Sequence, residues 1–271
     1  MRPFLKWPGG KHKLVQRIEK IVPPGSRLVE PFVGSGAFFL ATEKFNQFLL
    51  ADTNADLIHL YQCLQQERTF IEACRALFTP ENNSAERYYA LRDQFNQSQD
   101  LWERSTLFLY LNRHGYNGLC RYNKKRAYNV PFGSYKAPYF PEKEMINFHE
   151  KAQRATFLIA DFRATMAMTV PGDVVYCDPP YTPLSATSDF TAYDGQAFRS
   201  ADQKDLANEA EERSKQGIDV LISNHATAET IDLYSESKLE IFDVRRTISC
   251  QGDQRKTVKE LLAYYPACSA I

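Results

Sequence analysis

Arg27-Leu28-Val29-Glu30-Pro31-Phe32-Val33-Gly34-Ser35-Gly36 is a short apolar run that breaks into a glycine-rich turn. The run reads as a buried strand, and residues 37–45 behind the turn carry helical spacing. A second apolar run, Phe48-Leu49-Leu50-Ala51, follows and ends at Asp52. Strand, turn, helix and strand in this order form a βαβ unit of the nucleotide-binding kind. Glycines at such a turn let the backbone approach a ligand, and the next helix offers its N-terminus. Taken alone, Gly-x-Gly also fits an ordinary tight turn. Asp52 adds weight, because a carboxylate ending the second strand can accept both ribose hydroxyls of a nucleoside. A helix-capping or turn role for Asp52 stays open.

Upstream, a helix is expected over 11–22, ended by Pro23-Pro24-Gly25, after the basic start Lys6-Trp7-Pro8-Gly9-Gly10-Lys11. Downstream the character changes. Helical periodicity marks 57–64, 70–77, 86–95 and 102–111. A polar, aromatic and basic loop then covers 112–139, and a loop that long is usually functional. From residue 142 the α/β alternation resumes, with strands expected at 156–159, 173–177, 219–223 and 240–244 and helices at 143–152 and 200–216. The simplest architecture is α/β: a doubly wound sheet made by 1–53 and 142–271, interrupted by a mainly helical insert over 54–141.

With 271 residues, 44 % of them hydrophobic, the chain can bury a substantial core. Equal numbers of acidic and basic residues, 33 of each, exclude a uniformly basic surface. A local basic patch remains open, because phosphate affinity depends on where cations sit. From Arg104 to Pro141 there are seven cations (Arg104, Arg113, Arg121, Lys124, Lys125, Arg126, Lys136) and no Asp or Glu, whereas 202–212 is acidic. The six cysteines form no CxxC pair and no zinc-type spacing with the five histidines, so no metal site is expected. His225 ends a strand and reads as structural. No apolar leader or membrane-length run is visible, and a reduced cytoplasmic, nucleoid-associated location is expected.

A second motif carries the chemistry. Val174-Val175-Tyr176-Cys177-Asp178-Pro179-Pro180-Tyr181 is an apolar strand that delivers an acid, two prolines and an aromatic to a sheet edge. The prolines fix φ and donate no N–H, so their carbonyls are rigid acceptors. Acceptors beside an aromatic wall suit an exocyclic amine, which presents two N–H donors on a flat ring. A plain proline-rich strand exit is the bland alternative.

Phe-x-Gly-x-Gly, a helical insert and Asp-Pro-Pro-Tyr, preceded by Lys-Trp-x-Gly-Gly-Lys, together resemble the Dam-type (D12 class) adenine-N6 DNA methyltransferases. The resemblance extends through Leu111-Asn112-Arg113 to Arg121-Tyr122-Asn123, Asn129-Val130-Pro131-Phe132-Gly133 and Leu221-Ile222-Ser223-Asn224-His225, nearly the whole chain. It implies a Rossmann-like methyltransferase sheet, S-adenosyl-L-methionine as cofactor and double-stranded DNA as partner, with the insert as target-recognition domain in a monomeric enzyme. Trp7 and Lys11 would enclose the cofactor, Glu30, Phe32, Gly34 and Gly36 would line its methionine end, and Asp52 would bind the ribose. Asp161 and Phe162 would contact its adenine ring. Asp178, Pro179, Pro180 and Tyr181 would hold the target base, with Asp178 also at the cofactor. Lys6 and Arg121 would read guanines, Tyr116 and Asn117 would enter the gap left by a flipped base, and Leu119 and Pro131 would touch a thymine methyl with Tyr135 packed beside them. Arg92, Arg113 and Asn129 would hold phosphates. Ser134 stands where close relatives can carry a basic residue, which bears on a flanking phosphate contact. The resemblance points to GATC as the site. Ser249–Leu262 resembles a family strand pair whose residues have no assigned role.

Three other readings compete. Methyl transfer to RNA or a protein amide would use a similar pocket, but Asp rather than Asn at 178 and the insert weigh against it. A DNA-binding module without catalysis needs no amine pocket. A nicotinamide oxidoreductase predicts a third glycine where Phe39 stands.

Overall fold

In the computed structural model, which describes residues 1–7, 9, 14–181, 198–245 and 257–268, helix α1 (Val15–Ile21) precedes strand β1 (Arg27–Glu30), helix α2 (Ala37–Ala41) and strand β2 (Phe48–Asp52). The insert region contributes α3 (Ala55–Gln66), α4 (Phe70–Arg75), α5 (Ala85–Gln97) and α6 (Leu101–His114), then a 3-10 turn at Tyr116–Gly118. Helix α7 (Glu142–Ala152), strand β3 (Ala155–Ile159), helix α8 (Phe162–Met166), strand β4 (Asp173–Cys177), helix α9 (Ser200–Lys215) and strand β5 (Asp219–His225) restore the alternation. Helix α10 (Ala228–Leu233), β6 (Lys238–Arg245) and β7 (Thr257–Tyr265) close the described chain.

The strands form one sheet in the order β3-β2-β1-β4-β5-β7-β6. From β3 to β5 it is parallel, and β7 joins β5 and β6 antiparallel. The central strands β1, β2 and β4 are buried at nearly every position because both faces are covered, whereas the edge strands β3 and β6 are partly exposed. Successive side chains alternate between faces. Leu28, Leu50, Val174 and Tyr176 pack in a cluster with Ile18 of α1, Phe38 and Phe39 of α2 and Phe148 of α7. Val29, Leu49, Val175 and Cys177 pack oppositely with Phe162 and Met166 of α8 and Leu206 and Ala210 of α9. This is the doubly wound arrangement expected.

Helix starts follow the capping chemistry of the sequence. Asn54 accepts Leu57 N–H at 3.1 Å, Asp100 accepts Glu103 N–H at 2.8 Å and Asp161 accepts Ala164 N–H at 2.8 Å. The helix expected over 37–45 stops at Ala41, where Thr42 turns extended. Conversely α6 continues to His114, three residues past the expected end, with His114 Nδ1 3.0 Å from Tyr110 O. The short helices α8 and α10 have too few turns to show a period.

Helix α3 opens the segment expected as the insert, yet it also packs on the sheet. Its Tyr61 ring lies 4.7 Å from Phe148 and 5.4 Å from Phe157, and Gln65 donates to Ala152 O and Ala155 O. The cluster that covers this face runs on without a break into Leu91, Phe95, Phe108 and Leu111 of α5 and α6. The segment expected as the insert and the sheet share one core.

Candidate active site

Strand order reverses between β1 and β4. The chain winds outward from β1 through β2 to β3, then returns to β4 on the other side of β1. Open α/β sheets bind ligands outside the carboxyl ends of strands at such a switch point. Pairing of Val29 with Val175 brings both motifs out of the sheet side by side there, the glycine turn from β1 and Asp178–Tyr181 from β4. The Asp178 carboxylate is near enough to raise the pKa of Glu30.

On the β1 side the turn is tightly defined. Gly34 and Gly36 both adopt positive φ, +45° and +67°. The Gly34 N–H donates to Asp52 Oδ2 at 3.0 Å, Asn54 N–H donates to Asp52 Oδ1 at 3.0 Å, and Tyr61 Oη–H donates to Gly34 O at 2.5 Å. Asp52 thereby joins β2 to the turn. A Cβ at Gly34 would lie 2.9 Å from Trp7 Nε1, so only glycine lets Trp7 lie against this backbone. Glu30 is 3 % exposed, and its Oε1 is buried without a hydrogen-bond partner. Burial pushes its pKa up to about 8, with nearby Asp178 adding to the rise while the Phe39 backbone and Lys151 oppose it. An orphaned acid oxygen at a ligand edge is a site for a cation or donor. Phe32 stacks on Phe162 at 5.7 Å, and Phe198 meets both edge-on. Phe162 is therefore packed inside this aromatic trio, while Asp161 caps α8 at the surface. Lys11 lies outside the described residues.

On the β4 side the acceptors are held in place. Asp178 Oδ1 accepts from Ser223 Oγ at 2.8 Å, and Ser223 in turn sits 3.3 Å from Tyr176 Oη, all within the neighbouring strands β4 and β5. The Pro180 carbonyl accepts from Gln203 Nε2 at 2.9 Å, and Gln203 is itself fixed by Asn224 and Tyr234. Tyr181 is braced by its hydroxyl donating to Glu260 Oε2 at 3.4 Å and by the His225 ring edge-on at 4.6 Å. Sequence reasoning assigned no site role to Ser223, Tyr176, Gln203 or Glu260, and took His225 as merely structural. The Ser-Asn-His strand end was the available signal, but strand pairing had to place it beside Asp178.

The expected readers gather on a second surface. Asn112, buried at the end of α6, accepts Lys6 N–H at 2.9 Å and donates to Lys6 O at 2.7 Å and Gly118 O at 3.3 Å. Lys6 Nζ then lies 3.9 Å over the Tyr135 ring, and Tyr135 Oη accepts Asn117 N–H at 2.9 Å. Tyr116, half exposed, is tied to Pro131 by its N–H donating to Pro131 O. Leu119 is partly buried, and its carbonyl accepts from Tyr128 Oη. Arg121 is exposed and held by Asn129. Arg113 departs from the phosphate contact expected of it: it is 9 % exposed and donates to Tyr139 O and Phe4 O, bracing backbone from within. Arg92, partly exposed, donates to Val130 O. Arg104 is likewise engaged by Asp56, so five of the seven cations in the basic stretch face solvent.

Trp7 and Lys6 are consecutive, and this joins the two surfaces: one residue lies on the glycine turn, the other among the expected readers. Asn54 Nδ2, two residues past Asp52, donates to buried Cys120 Sγ at 3.4 Å, a second tie between them. Among the described residues no cluster of metal-ligating side chains is present, and no helix is long and apolar enough to cross a membrane.

Comparison with known proteins fits this geometry. Residues 7–248 match the family described as D12 class N6 adenine-specific DNA methyltransferase. A DNA adenine methylase of Escherichia coli (strain K12) is 52 % identical over 97 % of this chain and 95 % of its own length. DNA adenine methylases of Vibrio cholerae, 53 % identical over 97 % of this chain and 96 % of theirs, and of Serratia marcescens, 50 % identical over 97 % and 98 %, are similar throughout. The chain belongs to the D12 class of N6 adenine-specific DNA methyltransferases, enzymes that use S-adenosylmethionine to methylate adenine in DNA.

Proposed function

We propose that this enzyme methylates the adenine of GATC in duplex DNA, flipping that base into the slot at Asp178–Tyr181 and transferring the methyl group directly. The observation that carries this reading is the β1–β4 register, which sets the glycine turn beside the acceptor slot at the switch point.

The residues present fit the cofactor. Glu30 offers a buried acid oxygen for its ammonium, Asp52 a carboxylate with several acceptor sites for its ribose, and Trp7 a flat wall along Gly34. When bound, S-adenosylmethionine supplies an electrophilic sulfonium methyl. The chain's own task is to ready the nucleophile. The N6 lone pair of adenine is delocalised into the ring, so it attacks poorly. Asp178 and the Pro179 carbonyl accept the two amino hydrogens, which favours sp3 character at nitrogen and turns its lone pair toward the methyl group. Ser223 fixes the carboxylate from behind, and Tyr181, held by His225 and Glu260, stacks on the base. Most of the rate then comes from positioning.

N6 is unreachable inside a duplex, so the adenine leaves the stack at a cost of a few kcal/mol. Tyr116 and Asn117 fill the gap, Lys6 and Arg121 read guanines in the major groove, and Leu119, Pro131 and Tyr135 face the thymine side. Residues 54–141 serve as the recognition insert, rooted on the sheet through α3. Incubation with labelled cofactor and duplexes carrying GATC or each single-base variant tests the assignment. Transfer to GATC should exceed every variant by about tenfold or more. Equal labelling of all duplexes would remove the GATC reading.

A further inference from the structure

Arg121 is gripped along one edge. Its Nε donates to Asn129 Oδ1 at 2.8 Å and its Nη2 to Asn129 O at 3.2 Å. The backbones pair as well, Asn129 N–H donating to Arg121 O at 3.1 Å. These two residues face each other across a short hairpin closed by the Tyr122–Tyr128 bridge. At its tip Asn123 Oδ1 accepts both Lys125 N–H and Ala127 N–H, which lets Arg126 take a left-handed φ of 61°. Helix α5 supports the hairpin from below: Asn96 both donates to and accepts from the Tyr128 backbone, and Arg92 donates to Val130 O.

A guanidinium is a planar fork of five N–H donors, and guanine presents O6 and N7 to two of them. With the Nε–Nη2 edge engaged by Asn129, the outward donors are Nη1 and the second N–H of Nη2. Side-on recognition is blocked, and end-on recognition is left. An exposed arginine that is already held in one rotamer also gives up less freedom on contact.

We propose that Asn129 is a positioning residue for Arg121: the clamp presents the two terminal nitrogens of Arg121 to a single guanine and thereby sharpens discrimination at that base pair. The proposal rests on the reading of Arg121 as a guanine reader. It assigns the amide oxygen of Asn129 to the guanidinium and leaves to its Nδ2 donor the phosphate contact that family resemblance implies.

The test is kcat/KM on the preferred duplex and its single-base-pair variants, at two salt concentrations, for wild type, Arg121→Ala, Asn129→Ala, the double variant and Asn129→Asp. Asn129→Ala should lower discrimination by about fivefold or more, at the one base pair that Arg121→Ala relaxes and at no other. The double variant should discriminate like Arg121→Ala alone, because the two side chains act as a unit. Asn129→Asp keeps the acceptor and should keep most of the discrimination, even if it weakens binding to every duplex. An equal loss on all duplexes from Asn129→Ala, with a shallower salt dependence, marks a phosphate contact alone and overturns the proposal. So does Asn129→Asp losing discrimination as fully as Arg121→Ala. If Arg121→Ala relaxes no base pair, the guanine reading of Arg121 itself falls, and the clamp falls with it.

Discussion

Glu30 shows how a single side chain can be costly in one state and useful in another. It is buried beside another acid, and one of its oxygens has no partner. Its carboxyl holds a proton up to about pH 8 in the folded protein, against an ordinary value of 4.5. Between those values the folded form binds more protons than the unfolded chain, so stability falls as pH rises through that window. Glu30→Gln removes the titration. The cofactor-free variant should melt above wild type by a margin that grows from pH 5 to pH 8, reaching on the order of a few kcal/mol. The same variant should bind S-adenosylhomocysteine on the order of tenfold more weakly, since a charged partner for the ammonium is gone. Thermal melts across pH and a binding titration check both halves. Parallel melting profiles for the two proteins would show that Glu30 ionises without hindrance.

At the scale of elements, the turn at Tyr116–Gly118 decides where Lys6 sits. Gly118 has φ +62°, and a Cβ there would come 2.2 Å from Lys6 Cβ. Gly118→Ala must move one segment away from the other, at a cost of about 1–3 kcal/mol. It should reduce DNA affinity by about tenfold and cofactor affinity less, because Gly118 meets Lys6 whereas the glycine turn at Gly34 meets Trp7. Unchanged DNA binding would remove Lys6 from the readers. The strands were legible in advance because they are buried on both sides: 27–30 and 173–177 match their apolar runs residue for residue. The strand pair at the carboxyl end was legible in part. β6 appeared as 240–244, whereas 249–256 of the resembling stretch lies outside the described residues and β7 begins at Thr257. The Asp178–Tyr181 motif proposed to hold the amine was legible because proline and acid mark it locally. Its supports were not. Ser223, Gln203 and Glu260 approach Asp178–Tyr181 from β5, α9 and β7, and no local pattern encodes a pairing between strands 45 residues apart. Arg113 misled for the same reason: an arginine in a basic stretch reads as exposed until tertiary packing closes over it.

Across the whole molecule, the surfaces proposed to read DNA and to hold the target base rest on one continuous core. Phe4 packs edge-on against Tyr61 and Phe148, which fastens the N-terminal segment to the shared core. From that anchor Lys6 and Trp7 diverge to the two surfaces. On the proposed reading, a base held at Asp178–Tyr181 and base pairs read by Lys6 and Arg121 are then fixed relative to each other, which is what positioning catalysis requires. Net charge of zero is no obstacle, because five exposed cations concentrate on one segment while acids lie elsewhere. All of this depends on Asp178 gripping an amino group opposite the methyl donor. The direct measurement is labelled methyl transfer by Asp178→Ala, with affinity for a GATC duplex determined in parallel. DNA affinity should stay within about threefold of wild type while transfer falls on the order of 10²–10³-fold. Near-normal turnover in that variant would contradict the account.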